Sequence, residues 1–179
     1  MSMIEKAQWQ NHPEFKVIER ILSAFPVTTP PNDMNIVAAE ASHLAVCDEC
    51  GDAQQYFAGK TRGAILDDDR NYPHLVNAVD FFTPQTWHYY LPIFLIQDLL
   101  RGRHSFNFFW HQDEPVVIEG YWPPRIEFLN APQVEALLEY LKSHSTYALE
   151  AGHQEELCRV VDWWQHIYEE KLDSTQRRV

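Results

Sequence analysis

Thr83-Pro-Gln-Thr-Trp87-His-Tyr-Tyr90-Leu-Pro92-Ile-Phe-Leu-Ile-Gln-Asp98-Leu-Leu-Arg101-Gly102 is the stretch that decides the fold. A threonine followed by proline reads as an N-cap with proline at the first helical position, where the missing N–H costs nothing. Trp87, Tyr90, Leu91, Leu95, Ile96, Leu99 and Leu100 then recur at helical steps, and Gly102 marks a stop. Pro92 lacks the N–H of an interior helical residue and crowds the preceding turn, so it is expected to kink this helix or divide it in two. Over residues 71–100, 17 of 30 side chains are apolar and only Asp80 and Asp98 carry formal charge, which places this segment at the heart of the core.

Helical periodicity continues outward on both sides. Upstream, Phe15, Ile18, Ile21, Leu22 and Phe25 follow Pro13 at three- and four-residue steps, and Pro26 closes the helix. Thr28-Thr-Pro-Pro-Asn32 is a connector, because paired prolines hold the chain extended. A second helix is expected from Asn32 or Asp33 through Ile36, Val37 and Leu44 toward the cysteines, punctuated by Gly51 or Gly59. Downstream, Asn130-Ala-Pro-Gln133 caps a helix that carries Val134, Leu137, Leu138 and Leu141 to about His144. A last helix over roughly 155–172 places Leu157, Val160, Val161, Trp164, Ile167 and Tyr168 on one face. Between these, Phe106, Phe108 and Trp110 alternate, Val116-Val-Ile118 is β-branched, and Pro115, Gly120, Pro123 and Pro124 interrupt. The expected architecture is mainly α: a single-domain helical bundle over 1–179 with a small β or irregular aromatic insertion around residues 104–128.

Composition narrows the function. The 179 residues are enough to bury about 70% of the unfolded chain's surface. Six Trp, eight Tyr and ten Phe supply a ring-packed core with aromatics to spare for a partner. Fourteen Lys+Arg against 26 Asp+Glu give a formal charge of −12, a field that repels phosphate backbones and anionic lipid. Nucleic acid and membrane surfaces are therefore not the expected partners; a basic protein is. The acids concentrate in the flanks, eight against three bases over residues 33–70 and nine against five over 131–179. Met1-Ser-Met-Ile-Glu-Lys has no apolar signal region, no run approaches the ~20 apolar residues of a membrane span, and three cysteines form no disulfide framework. A cytoplasmic location is the expectation.

Cys47-Asp-Glu-Cys50 stands with His43 four residues upstream, so a helix would put His43, Cys47 and Cys50 on one face. That spacing suits the start of a metal site, yet a structural zinc needs four ligands, and the fourth would have to come from Cys158 or a distant histidine such as His74. Buried cysteines also pack as small hydrophobes. The neighbouring Asp48, Glu49 and Asp52 oppose thiolate formation, which weakens a redox reading. The two thiols are expected to be reduced and metal-free, with no cofactor. His111-Gln-Asp113 offers an acid/base pair in the aromatic loop, but no nucleophile elbow, phosphate loop or zinc-protease motif accompanies it, and a solvated loop histidine is the favoured reading. His88 and His166 are expected beside Trp and Tyr as hydrogen-bonding residues at the core's edge. Asp67-Asp-Asp69 lacks the spaced ligands of a calcium loop and reads as a solvated acidic turn that a basic partner would meet.

Cys47-Asp-Glu-Cys50, Tyr56-Phe-Ala-Gly59-Lys60, Phe82-Thr-Pro-Gln-Thr-Trp87-His-Tyr-Tyr90-Leu-Pro92 and the capped Gln133 helix together resemble a bacterial domain-of-unknown-function family of small cytosolic proteins. The resemblance spans roughly residues 40–145. It implies one mainly helical domain and assigns no catalytic or binding residue.

These observations point to a non-enzymatic, acidic protein-binding domain, whose sharpest form is a bacterial immunity protein neutralising a basic toxin. The expected contact surface combines Asp67, Asp68, Asp69, Glu155 and Glu156 with aromatic anchors at Trp110 and Trp122. The alternative is a metal-supported protein or small hydrolase built on His43/Cys47/Cys50 or His111/Asp113. Oligomeric state has no signature in the sequence.

Overall fold

A computed structural model describes residues 11–26, 29–30, 48–66, 82–101, 122–144 and 152–177. The described residues form seven helices: α1 (Phe15–Ala24), α2 (Asp48–Phe57), α3 (Arg62–Leu66), α4 (Pro84–Arg101), α5 (Trp122–Glu127), α6 (Ala131–Ser143) and α7 (Gln154–Gln176). There is no β-strand among them, and the chain is mainly α, as its periodicity predicts. The expected helix from Asn32 to Leu44 lies outside the described residues.

Local chemistry fixes the helix ends. Thr83 Oγ1 accepts from the Thr86 N–H at 3.2 Å, so the Thr-Pro start of α4 is a side-chain cap. At α6 the Asn130 side chain accepts from Gln133 N, and Gln133 Oε1 accepts from Asn130 N, both at 3.0 Å. That reciprocal pair is a capping box, and it satisfies two donors the helix start would otherwise leave bare. Gly51 sits inside α2; the helix is ended by Gly59, whose φ of 67° lies in the left-handed region that a side chain disfavours.

One expectation is narrowed and one corrected. Of the two outcomes expected at Pro92, a kink or a division, division does not occur: α4 runs from Pro84 to Arg101. Proline withholds one N–H from the His88 carbonyl, and the next carbonyl, Tyr89 O, accepts from Arg62 Nε at 2.6 Å. A neighbouring helix thus bonds to the turn that Pro92 interrupts. Residues 122–127, the end of the expected aromatic insertion, are helical, not β or irregular. Pro123 and Pro124 fall in the first turn of α5, where no intrahelical partner awaits their missing N–H groups. Residues 104–121 lie outside the described residues.

The helices assemble around two axes. α4 packs against α1, α3 and α5, while α6 lies between α1 and α7. Side chains join the two groups: His88 Nε2 meets Gln133 Oε1 at 3.3 Å near the starts of α4 and α6, and Asp98 meets Tyr140 and His144 near their ends. Because the pairs occur in the same order on both helices, α4 and α6 run parallel. Phe57 is the centre of an aromatic cluster, with Phe82 edge-on at 4.8 Å, Tyr90 at 4.9 Å and Phe94 at 6.2 Å between ring centroids. The Tyr90 hydroxyl donates to Phe57 O and Lys60 O, so the same cluster satisfies carbonyls at the end of α2.

Candidate functional site

The outer face of α7 carries a row of exposed carboxylates, and it follows from the helix's own periodicity. Leu157, Val160 and Trp164 are buried, and Val161, Ile167 and Tyr168 pack against the core beside them. On the opposite side, Glu155, Asp162, Glu169, Glu170 and Asp173 are exposed, at spacings that hold them to one stripe. Glu156 is half-buried and lies 3.1 Å from His153; His166 is exposed and lies 3.4 Å from Glu170. His166 is therefore a surface residue rather than the core-edge hydrogen-bonder expected for it. Arg159 is the exposed base within the stripe. Lys171 turns away to donate to Ile126 O at 2.8 Å, and burial lowers its pKa while Glu127 and Glu170 oppose the shift.

Of the sequence-derived contact residues, Glu155 and Glu156 fall at the start of this face, in the first turn of α7, where acids also complement the helix macrodipole. Trp122 opens α5 and Cys50 lies in the first turn of α2. Asp67, Asp68, Asp69, Trp110, His43, Cys47, His74, His111 and Asp113 lie outside the described residues. Cys158 is an exposed free thiol on α7. Among the described residues, no group of three or more His, Cys, Asp or Glu side chains is placed to hold a metal ion.

A second concentration of polar groups is internal. Asp98 (3% exposed) and His144 (1%) form a buried pair, with His144 Nε2 2.9 Å from Asp98 Oδ2. The Tyr140 hydroxyl donates to the same oxygen at 2.9 Å. His144 Nδ1 lies 2.8 Å from Tyr140 O, to which Ser143 Oγ also donates. The neighbouring Gln97 amide donates to Ile65 O at 2.9 Å, tying the end of α3 to α4. At the other end of α4, Arg62 sends Nη1 to Phe25 O and Pro26 O, just beyond α1, and lies over the Tyr89 ring. Burial lowers the Arg62 pKa, and the Tyr89 and Tyr90 groups act against that shift. A cation at a helix C-terminus also meets the negative end of its dipole, so Arg62 is held by carbonyls rather than by a carboxylate.

His88 lies between these regions, half-buried and tilted against Phe25 and the exposed Phe128. Burial pushes its pKa down, the Gln133 bond pulls it up, and the nearby Arg62 cation pushes it down further. An open groove of about 680 Å³ runs between α1 and α6, lined by Lys16, Glu19, Arg20, Leu22, Ser23 and Glu139. Arg20 crosses it to pair with Glu135 and, at 3.8 Å, with Glu139.

Asp98 and His144 were not singled out by sequence reasoning as a site. They are 46 residues apart, and neither belongs to a motif. One signal was available: Asp98 is a lone acid in an otherwise uncharged helical run, and a buried carboxylate needs a partner.

Comparison with family models, curated proteins and solved structures gives no match to this chain. None of the helices among the described residues is long and apolar enough to cross a membrane.

Proposed function

We propose that this chain is an acidic protein-binding domain that docks a basic protein partner on the outer face of α7. The observation that carries the reading is the stripe Glu155, Asp162, Glu169, Glu170 and Asp173, exposed on a helix whose other face is anchored in the core. A fixed row of like charges steers an oppositely charged partner and sets its orientation, and its strength falls with salt. The chain's formal charge of −12 extends the same field over the molecule.

The sharpest form of this reading is a bacterial immunity protein covering a basic toxin, with Asp67, Asp68, Asp69, Glu155 and Glu156 contributing charge and Trp110 and Trp122 contributing anchors. The test is affinity capture with the wild-type chain and with a variant carrying Asp162→Lys, Glu169→Lys and Asp173→Lys. A basic protein retained by the wild type at low salt, released at high salt and lost by the triple variant supports the proposal. Equal retention by both chains, or hydrolysis of a substrate by the isolated protein with no partner captured, overturns it.

A further inference from the structure

The buried Asp98–His144 pair constrains where its protons are. His144 Nδ1 sits 2.8 Å from Tyr140 O, and a carbonyl can only accept, so Nδ1 carries a hydrogen. Ser143 Oγ is also 3.3 Å from Nδ1, but its hydroxyl donates to Tyr140 O at 2.7 Å, which leaves Nδ1 the donor. With Nδ1 protonated, a neutral imidazole would present a bare lone pair at Nε2. Nε2 faces Asp98 Oδ2 at 2.9 Å, a contact that two acceptors cannot sustain inside a core. A hydrogen must lie between them, on Nε2 as an imidazolium or on Oδ2 as a carboxylic acid.

Both assignments hold the same number of protons, one more than a neutral histidine beside an ionised aspartate. We propose that Asp98 and His144 share this one buried proton and that it locks α4 to α6. The Tyr140 hydroxyl joins the pair, donating to Asp98 Oδ2 at 2.9 Å. Loss of the proton sets a carboxylate against a lone pair where water cannot screen them. The device is independent of the α7 face, since neither residue belongs to that surface.

Nitrogen and carbon NMR of the isotopically labelled wild-type chain reads the proton directly. The expected result is either both His144 ring nitrogens as N–H, or Nδ1 alone as N–H with a protonated Asp98 carboxyl. Nε2 alone as N–H, or Nδ1 alone as N–H beside an ionised Asp98, overturns the proposal. Asp98→Asn supplies a second reading, because an amide nitrogen at the Oδ2 position donates to bare Nε2 without the extra proton, while the Tyr140 hydroxyl loses the acceptor that Oδ2 gave it. In that variant His144 should keep Nδ1 alone as N–H; both ring nitrogens as N–H there contradicts the shared proton. If that variant does not fold, the wild-type spectrum decides alone.

Discussion

α4 and α7 are the two longest helices among the described residues, and they use charge in opposite ways. α4 is apolar around most of its circumference, is buried from Trp87 to Leu99 apart from His88, and places its one carboxylate, Asp98, against a histidine inside the core. α7 buries one stripe, Leu157, Val160 and Trp164, and turns its carboxylates outward. A helix apolar on all sides must find its polar partners on neighbouring helices, as α4 does with Arg62, Tyr140 and His144. An amphipathic helix leaves its polar face to solvent, where it is available to a partner. Internal charge here specifies how helices meet; external charge is available for recognition.

The largest effect that would break this contrast comes from removing one histidine on each side of it. His144→Ala strips the imidazole from a buried carboxylate and should cost about 3–5 kcal/mol, the range for breaking a buried pair by deleting one partner. His166→Ala removes an exposed imidazole from Glu170 in a pair of the same chemistry and should change stability by no more than about 0.5 kcal/mol. Urea denaturation of both variants measures the difference. Equal costs would mean that burial does not separate the two helices energetically.

A smaller effect sharpens the comparison through pH. His88 is half-buried, and its pKa is lowered chiefly by desolvation, so the fold favours the neutral ring. Between its lowered folded value and the ordinary value of 6.5, the unfolded state binds more protons. Stability from this residue is therefore present above that ordinary value and lost as pH falls toward the folded one. His88→Gln keeps a donor for Gln133 and should flatten the acid side of a thermal-stability profile.

How much of this was legible in the sequence depends on distance along the chain. The α6 start was legible because Asn130 and Gln133 are three residues apart and their reciprocal bonds are local. The Thr83-Pro84 start of α4 and the buried stripes of α1 and α7 were legible for the same reason, since helical periodicity is a short-range signal. Pro92 left a kink and a division both open, because whether a helix continues through an internal proline depends on what packs around it. Here Arg62, 27 residues away from Tyr89, bonds to the carbonyl of that residue. The Pro123-Pro124 pair was read as loop chemistry, whereas two prolines in a first turn are equally compatible with a helix. Asp98 with His144 was invisible as a pair, because only tertiary structure brings them together. The acidic flank was legible as composition, but the stripe on α7 needed the helix that separates Glu155 and Asp162 from Leu157 and Val160.

The smallest expected effects lie within α7 itself, and they separate charge that stabilises the helix from charge left over for a partner. Glu155 sits in the first turn, next to the N–H groups that carry the positive end of the macrodipole. Glu155→Lys replaces a favourable charge with an unfavourable one there and should destabilise the chain by about 0.3–1 kcal/mol at low salt, less at high salt. Glu169 lies well beyond that turn, exposed, with the Gln165 amide 3.3 Å away. The dipole field has faded at that position, so Glu169→Lys should alter stability by less than Glu155→Lys in the same buffer. Thermal melts of the two variants at low and high salt read this difference. If Glu169→Lys destabilises as much as Glu155→Lys, the carboxylate at 169 supports the fold and is not available for recognition. If only Glu155→Lys destabilises, Glu169 remains a surface charge whose reversal can be read in partner binding without a confounding loss of structure.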